Sequence, residues 1–188
     1  MKVKTELLGS TVKTRKDRWY IKGWIYWITF LLLYFAYKFI PSAPLKLICA
    51  INESNFQHYK ASFFSWIIVS LGEFLWIRRK IQDRQVFLYS RMATATILPW
   101  FVFILWYMGV AIFGRLPSIP LEIVYANIIT IAVGMFAAIF EQGVSLITYP
   151  REFKIILLIL FLSSLVIYMV FTFGNLPWAD VFIEPVWK

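Results

Sequence analysis

The sequence FKIILLILFLSSLVIYMVFTF, residues 153–173, contains one charged side chain, Lys154, in 21 residues. An α-helix rises about 1.5 Å per residue, so a helix of this length spans the ~30 Å hydrocarbon layer of a bilayer. Because lipid offers no partner for open backbone groups, such a segment has to be helical. This stretch therefore predicts a transmembrane helix.

Four more apolar stretches precede it, at approximately residues 20–40, 55–77, 92–113 and 121–147. Hydrophobic residues make up 61% of the 188 residues and aromatic residues 20%, whereas soluble domains are roughly half apolar. The surplus apolar surface must face lipid. The sequence predicts an all-α membrane protein in which residues 1–188 form one domain. We expect a bundle of about five transmembrane helices, followed by an interfacial segment at residues 174–188.

The basic residues are distributed unevenly between the two sides of this predicted bundle. Thirteen Lys and Arg residues fall in the N-terminal arm and in the loops after the second and fourth helices, and five fall on the opposite side. The positive-inside rule then predicts a cytoplasmic N-terminus and an external C-terminus. We therefore interpret the net charge of +9 as setting the orientation in the membrane and as contacting anionic lipid, and not as a sign of nucleic-acid binding. We expect a multi-pass protein of a cell membrane, most simply a prokaryotic plasma membrane.

Cysteine and histidine each occur once, as Cys49 and His58. A single cysteine forms no intrachain disulfide, and this pair of residues does not supply a conventional metal site. The sequence also lacks a glycine-rich phosphate loop and a nucleophile elbow. We therefore predict no metal and no cofactor. Acid–base chemistry based on Asp, Glu and His remains possible.

The densest polar segment is NESNFQHYK, residues 52–60, which enters the second predicted helix. Ser54 and Gln57 have the spacing of a capping box, in which each side chain binds the other residue's amide. Glu53 lies beside the helix N-terminus, where the helix dipole favours a negative charge. Much of this segment is therefore explained as a helix cap at a membrane interface.

His58 is less easily explained by capping. On a helical wheel it shares a face with Ser62, Ser65 and Gly72, and such a stripe is expected to face the bundle. The functional interpretation is a histidine that accepts or relays a proton. The structural alternative is a histidine that hydrogen-bonds another helix.

Two carboxylates, Glu73 and Glu141, are predicted to lie within helices, at similar depth toward the cytoplasmic end. An ionisable residue inside a membrane is a functional-site hypothesis. Its alternative is a paired structural glutamate, with Arg78 and Arg79 reaching toward Glu73. The further polar candidates for a ligand or proton site are Asn127 and Gln142, and, in the C-terminal tail, Asp180 and Glu184. We expect the tail to bring its two carboxylates near residues 53–60.

Residues 52–60 resemble a motif, N-E-S-x-x-E-H-x-K, of a family of small bacterial and archaeal integral membrane proteins classified as a domain of unknown function. The motif positions that match are Asn52, Glu53, Ser54, His58 and Lys60. Looser matches follow at Glu73, Gln142, residues 171–173, Pro177, Phe182 and Pro185. Gln57 replaces the second glutamate of the motif and removes its charge. The resemblance implies a small helical membrane protein and no particular activity.

Three functions fit these patterns. The protein binds or moves a small or lipid-like molecule, with Glu73 and Glu141 as proton-linked groups, and this predicts a cavity from His58 toward Glu141. Alternatively it is a membrane enzyme in which Glu53, His58 and Lys60 converge as acid–base residues on an amphipathic substrate. In the third interpretation the polar stripes are packing seams of a homo-oligomer or of an accessory subunit in a larger membrane complex. We favour the first, with membrane lipids as the expected surroundings.

Overall fold

The computed structural model of the chain describes residues 19–114, 116, 118–174 and 179–183. All regular secondary structure in these described ranges is helical. The helices are α1 (Trp19–Phe39), α2 (Ala43–Ile48), α3 (Asn55–Ile77), α4 (Arg84–Phe113), α5 (Ile119–Val144) and α6 (Arg151–Phe173), followed by a 3-10 turn at Asp180–Phe182.

Four of the described helices, α3 to α6, are long and apolar enough to cross a membrane. This confirms the predicted class, an all-α membrane protein. With 21 residues, α1 also has the length for a crossing. It is not among the four helices that are both long and apolar enough, and it contains two lysines, Lys22 and Lys38. The fifth crossing therefore stays a prediction.

Helix α4 begins at Arg84, eight residues before the start that we predicted at residue 92. The cause is Asp83, whose Oδ1 accepts hydrogen bonds from the backbone amides of Gln85 (2.8 Å) and Val86 (3.1 Å). A carboxylate at this position satisfies amides that have no partner in the first turn. The consequence is that Arg91, which the sequence placed in a loop, lies well inside a helix.

The predicted capping box at the start of α3 is wrong, although Ser54 is the N-cap residue as expected. The Ser54 hydroxyl donates instead to Oδ1 of Asn52 at 2.8 Å. Oε1 of Gln57 accepts from the amide of Ile51 at 3.4 Å. The polar side chains of this segment thus fold the preceding loop back onto the helix end.

Helix α3 is central, with contacts to α1 and α4 and twelve buried residues, whereas α6 has three buried residues.

Helices α1 and α5 run antiparallel and approach each other closely at Gly23 and Gly134. A Cβ added to Gly134 would lie 2.5 Å from Cδ1 of Tyr26, and one added to Gly23 would lie 2.6 Å from Sδ of Met135. Toward the other end of α1 and α5 the helices leave a partly open cavity between them.

The bundle therefore has two distinct ends. One end, which we call the charge-cluster end, holds the start of α1, the end of α3, the start of α4 and the end of α5. It is named for the cluster of Lys22, Glu73, Arg91 and Glu141. The cavity end holds the opposite ends of the same four helices.

Candidate functional site

A cavity of about 990 Å³ lies between α1, α3, α4 and α5 at the cavity end. Its wall on α5 runs from Ile119 to Thr130, about 16 Å along the helix. Aromatic side chains from three helices dominate the lining: Phe30, Tyr34, Phe35, Trp106, Tyr107, Phe113 and Tyr125. A concave, mostly apolar site with a few polar groups is the usual form of a small-molecule site.

Polar groups occur in this cavity at its entrance, where α1 ends and α3 begins. Nζ of Lys38 lies 2.6 Å from Oε1 of Glu53, and both side chains are nearly half exposed. The hydrogen bond from Lys38 lowers the pKa of the Glu53 carboxyl, so Glu53 is ionised at neutral pH. His58 stacks on Tyr34, with the ring centroids 5.1 Å apart and the planes at 25°. The entrance thus combines an ion pair with an aromatic and imidazole wall.

The inner end of the cavity is closed by Asn127 and Thr130, both bonded to protein groups. Oδ1 of Asn127 accepts from Nε1 of Trp27 at 3.0 Å, and this bond joins α5 to α1. The Asn127 amide donates to the carbonyl of Ile123, and the Thr130 hydroxyl donates to the carbonyl of Ala126, each at 2.8 Å. Asn127, which the sequence singled out as a ligand candidate, thus lines the cavity and holds two helices together.

A second polar region, the charge cluster, is formed by one side chain from each of four helices: Lys22, Glu73, Arg91 and Glu141. Nζ of Lys22 lies 2.6 Å from Oε2 of Glu73 and 2.5 Å from Oε1 of Glu141. Nη2 of Arg91 lies 3.0 Å from Oε1 of Glu73 and 3.2 Å from Oε1 of Glu141. Two cations and two carboxylates therefore balance inside the bundle.

Burial and an indole bond set this cluster apart from a surface ion pair. The Glu141 side chain is 4% exposed, and those of Lys22 and Arg91 are 14% exposed. Nε1 of Trp66 donates to Oε2 of Glu141 at 3.1 Å, and Nζ of Lys22 lies 4.8 Å from the Trp66 ring centroid. Both carboxylates thus bind Lys22 and Arg91, whereas the sequence had suggested Arg78 and Arg79 as partners for Glu73.

The cavity does not reach the charge cluster, because none of the four cluster residues lines it. Tyr26, Trp66 and Val133 fill the space between the two regions, and each is at most 1% exposed. The predicted cavity from His58 to Glu141 is therefore wrong in this structure. The large side chains of Tyr26 on α1 and Trp66 on α3 occupy the volume that such a path would need.

Lys60 is not part of the cavity. Its side chain is fully buried, and Nζ donates to the Lys46 carbonyl at 3.0 Å and to Oγ1 of Thr172 at 3.2 Å. Two residues along a helix turn the side chain by about 200°, so Lys60 faces α2 and α6 while His58 faces α1. The predicted convergence of Glu53, His58 and Lys60 is wrong for Lys60.

The remaining candidates lie apart from both regions or outside the described residues. Gln142 follows Glu141 but makes none of the cluster bonds. The tail does return to the cavity end, since Phe182 packs on Phe56 with centroids 4.9 Å apart and Ile183 lines the cavity. The Asp180 side chain and Glu184 lie outside the described residues.

Sequence reasoning missed Lys22, Arg91 and Trp66 as site residues. A signal for Lys22 was present, because it lies four residues before Tyr26, on the buried side of α1 with Gly23. The signal for Arg91 was the Asp83 cap, which extends α4 backward.

Comparison of the chain with protein-family models, with curated proteins and with solved structures finds no match in any of the three. The resemblance of residues 52–60 to the family of small membrane proteins stays a prediction.

Proposed function

We propose that this membrane protein binds a small amphipathic or lipid-like molecule in the aromatic cavity. The observation that carries the proposal is the cavity itself, about 990 Å³ between four helices. The cavity is partly open, because lining residues such as Phe113 (73% exposed) and Ile123 (57% exposed) are strongly exposed, so a ligand can enter it from outside the bundle. Cavities of roughly 300–1,000 Å³ are typical of sites that enclose a drug-sized ligand.

The distribution of polar groups supports an amphipathic ligand. Charged groups lie at the entrance, with Lys38 and Glu53 partly exposed. The walls farther in are mostly aromatic and aliphatic, and the polar groups of Asn127 and Thr130 at the inner end bind protein groups. Such a site accepts a polar group near the interface and an apolar body within the bundle. For a ligand that arrives from water, burial of the body is favourable at about 25 cal/mol per Å² of apolar surface.

Binding is favoured over passage through the bundle because the cavity stops at a filled layer. Tyr26, Trp66 and Val133 separate it from the charge cluster, and the close contact at Gly23 and Gly134 holds α1 against α5 beyond that layer. Movement of a ligand to the charge-cluster end would require these helices to separate. A binding role requires no such movement.

As part of this proposal we place the protein in a cell membrane with the charge-cluster end toward the cytoplasm. The sequence predicts thirteen Lys and Arg residues on the cytoplasmic side of the bundle and five on the other side. The cavity then opens near the external side.

A blocking variant tests the proposed function. Ala126 is half-buried and lines the cavity on α5, so Ala126→Trp places an indole inside it. Leu146→Trp is the matched control, since Leu146 is 84% exposed and lies beyond the end of α5. Native mass spectrometry of the purified full chain compares co-purified molecules. We expect an adduct of defined mass on the wild type and on Leu146→Trp, and its loss from Ala126→Trp.

The proposal fails if the wild type carries no adduct, or if Ala126→Trp carries the same adduct at the same stoichiometry. Far-UV circular dichroism of both variants establishes that each is folded before they are compared.

A further inference from the structure

At the cavity entrance the protein already holds a cation, the Lys38 ammonium, beside two aromatic rings and a carboxylate. Nζ of Lys38 lies 2.6 Å from Oε1 of Glu53, 5.1 Å from the Tyr34 ring centroid and 5.8 Å from the Phe35 ring centroid. A cation within about 6 Å of an aromatic face is attracted by the ring quadrupole, and a carboxylate adds a direct charge interaction. These are the groups with which proteins recognise organic ammonium ions.

Lys38 is able to leave its contacts with the carboxylate and the two rings. The Lys38 side chain is 43% exposed and that of Glu53 is 47% exposed, so water competes with their contact. The four-carbon stem of lysine rotates freely and carries its charge into solvent. A ligand cation in the cavity then gains the two rings and the carboxylate that Lys38 vacates.

The same groups disfavour a negative ligand. When Lys38 turns outward, the Glu53 carboxylate remains beside the aromatic walls of the cavity. A ligand anion in the same place would be repelled by this carboxylate and would face the negative faces of the rings.

We infer that the molecule bound in the cavity is a hydrophobic organic cation, whose charged group takes the place of the Lys38 ammonium on Tyr34, Phe35 and Glu53. Its apolar groups fill the aromatic cavity. This inference rests on the proposed function, because it names the class of ligand for the same cavity.

Two ions of the same shape and opposite charge, tetraphenylphosphonium and tetraphenylborate, separate charge recognition from simple burial. Equilibrium dialysis against the full chain in a neutral detergent measures the binding of each. Ala126→Trp is measured in parallel, so that partition into micelles is subtracted. We expect saturable binding of the phosphonium, at least about tenfold tighter than that of the borate, since the Glu53 carboxylate and the ring faces distinguish the charges.

Two variants move the affinity for the phosphonium in opposite directions. Glu53→Gln removes the carboxylate and is expected to weaken binding about tenfold. Lys38→Met removes the competing ammonium and is expected to strengthen binding severalfold. Misfolding does not produce this pattern, because it lowers the affinity of both variants.

Equal binding of the two ions, or an unchanged affinity for the phosphonium in Glu53→Gln, overturns the inference. The proposed function survives in that case if a neutral or zwitterionic amphiphile still binds the wild type and not Ala126→Trp. If no amphiphile of any charge distinguishes the wild type from Ala126→Trp, both the inference and the proposed function are wrong.

Discussion

The two ends of the bundle each hold a lysine of α1 beside carboxylates and an aromatic ring, yet they differ in burial. Lys22 binds Glu73 and Glu141, lies 4.8 Å from the Trp66 ring, and is 14% exposed. Lys38 binds Glu53 over the Tyr34 ring and is 43% exposed. The same chemistry thus makes a fixed structural element where water is excluded, and an exchangeable contact where water enters.

The largest expected effect follows from a substitution in the buried charge cluster. Glu141→Gln leaves Lys22 and Arg91 with only one carboxylate between them in a site of low dielectric. Removal of one partner from a buried charge network destabilises a protein by about 3–5 kcal/mol. We expect a loss of about 3 kcal/mol in the free energy of unfolding, measured by reversible denaturation in detergent micelles.

Gln142→Ala is the neighbouring control for this variant, because Gln142 makes none of the cluster bonds, and its expected change is below about 0.5 kcal/mol. A loss of less than 1 kcal/mol in Glu141→Gln would show that the cluster does not act as a fixed element.

An intermediate effect is expected from changing the close approach of α1 and α5. In Gly134→Ala the new Cβ would lie 2.5 Å from Cδ1 of the fully buried Tyr26. Such overpacking costs about 1–3 kcal/mol. Gly72→Ala is the matched control, since a Cβ there meets nothing within 4 Å. It should gain up to about 1 kcal/mol from helix propensity. Thermal unfolding of both variants measures the difference, and equal melting temperatures would contradict the packing described here.

The smallest effect is expected at the exposed ion pair. Glu53→Gln should lower the free energy of unfolding at neutral pH by about 0.5 kcal/mol, as for other exposed pairs. The folded-state pKa of Glu53 lies below its unfolded value, so this contribution is present above the unfolded pKa. It is lost as the pH falls through the folded pKa.

Denaturation of wild type and Glu53→Gln between pH 7 and pH 3 therefore gives curves that converge in acid. A difference that grows as the pH falls would have the wrong sign for a lowered pKa, and a difference of several kcal/mol would mean that this pair is not exchangeable.

The architecture was predictable from the sequence because it depends on long apolar runs. The boundaries predicted for α3, residues 55–77, are those observed, and α6 begins only two residues before its predicted start. Apolar length and proline position determine these elements locally. The early start of α4 was missed because polar residues at an interface continue a helix when a cap such as Asp83 precedes them.

The sites were predictable only in part. The sequence located Glu73 and Glu141 at one depth, since helical rise and antiparallel order determine depth. It did not identify Lys22 and Arg91 as their partners, because pairing depends on the rotation of each helix about its axis. The cavity was predictable in its location, since Glu53, His58 and Asn127 line it, but not in its extent. The extent of the cavity depends on where α1 and α5 touch at Gly23 and Gly134. It also depends on large side chains such as Tyr26, which fill the bundle toward the charge-cluster end and leave the other end open.

The charge cluster also has a consequence for the order in which the chain enters the membrane. During synthesis α1 emerges first with the positive charge of Lys22, and Glu73 on α3 neutralises it. Arg91 on α4 then restores a net positive charge, which lasts until α5 delivers Glu141. Each isolated charge is costly in hydrocarbon. The four charges therefore reach their final balance only when α5, the fourth long helix, has arrived, and we expect earlier intermediates with an odd charge to need shielding by lipid head groups.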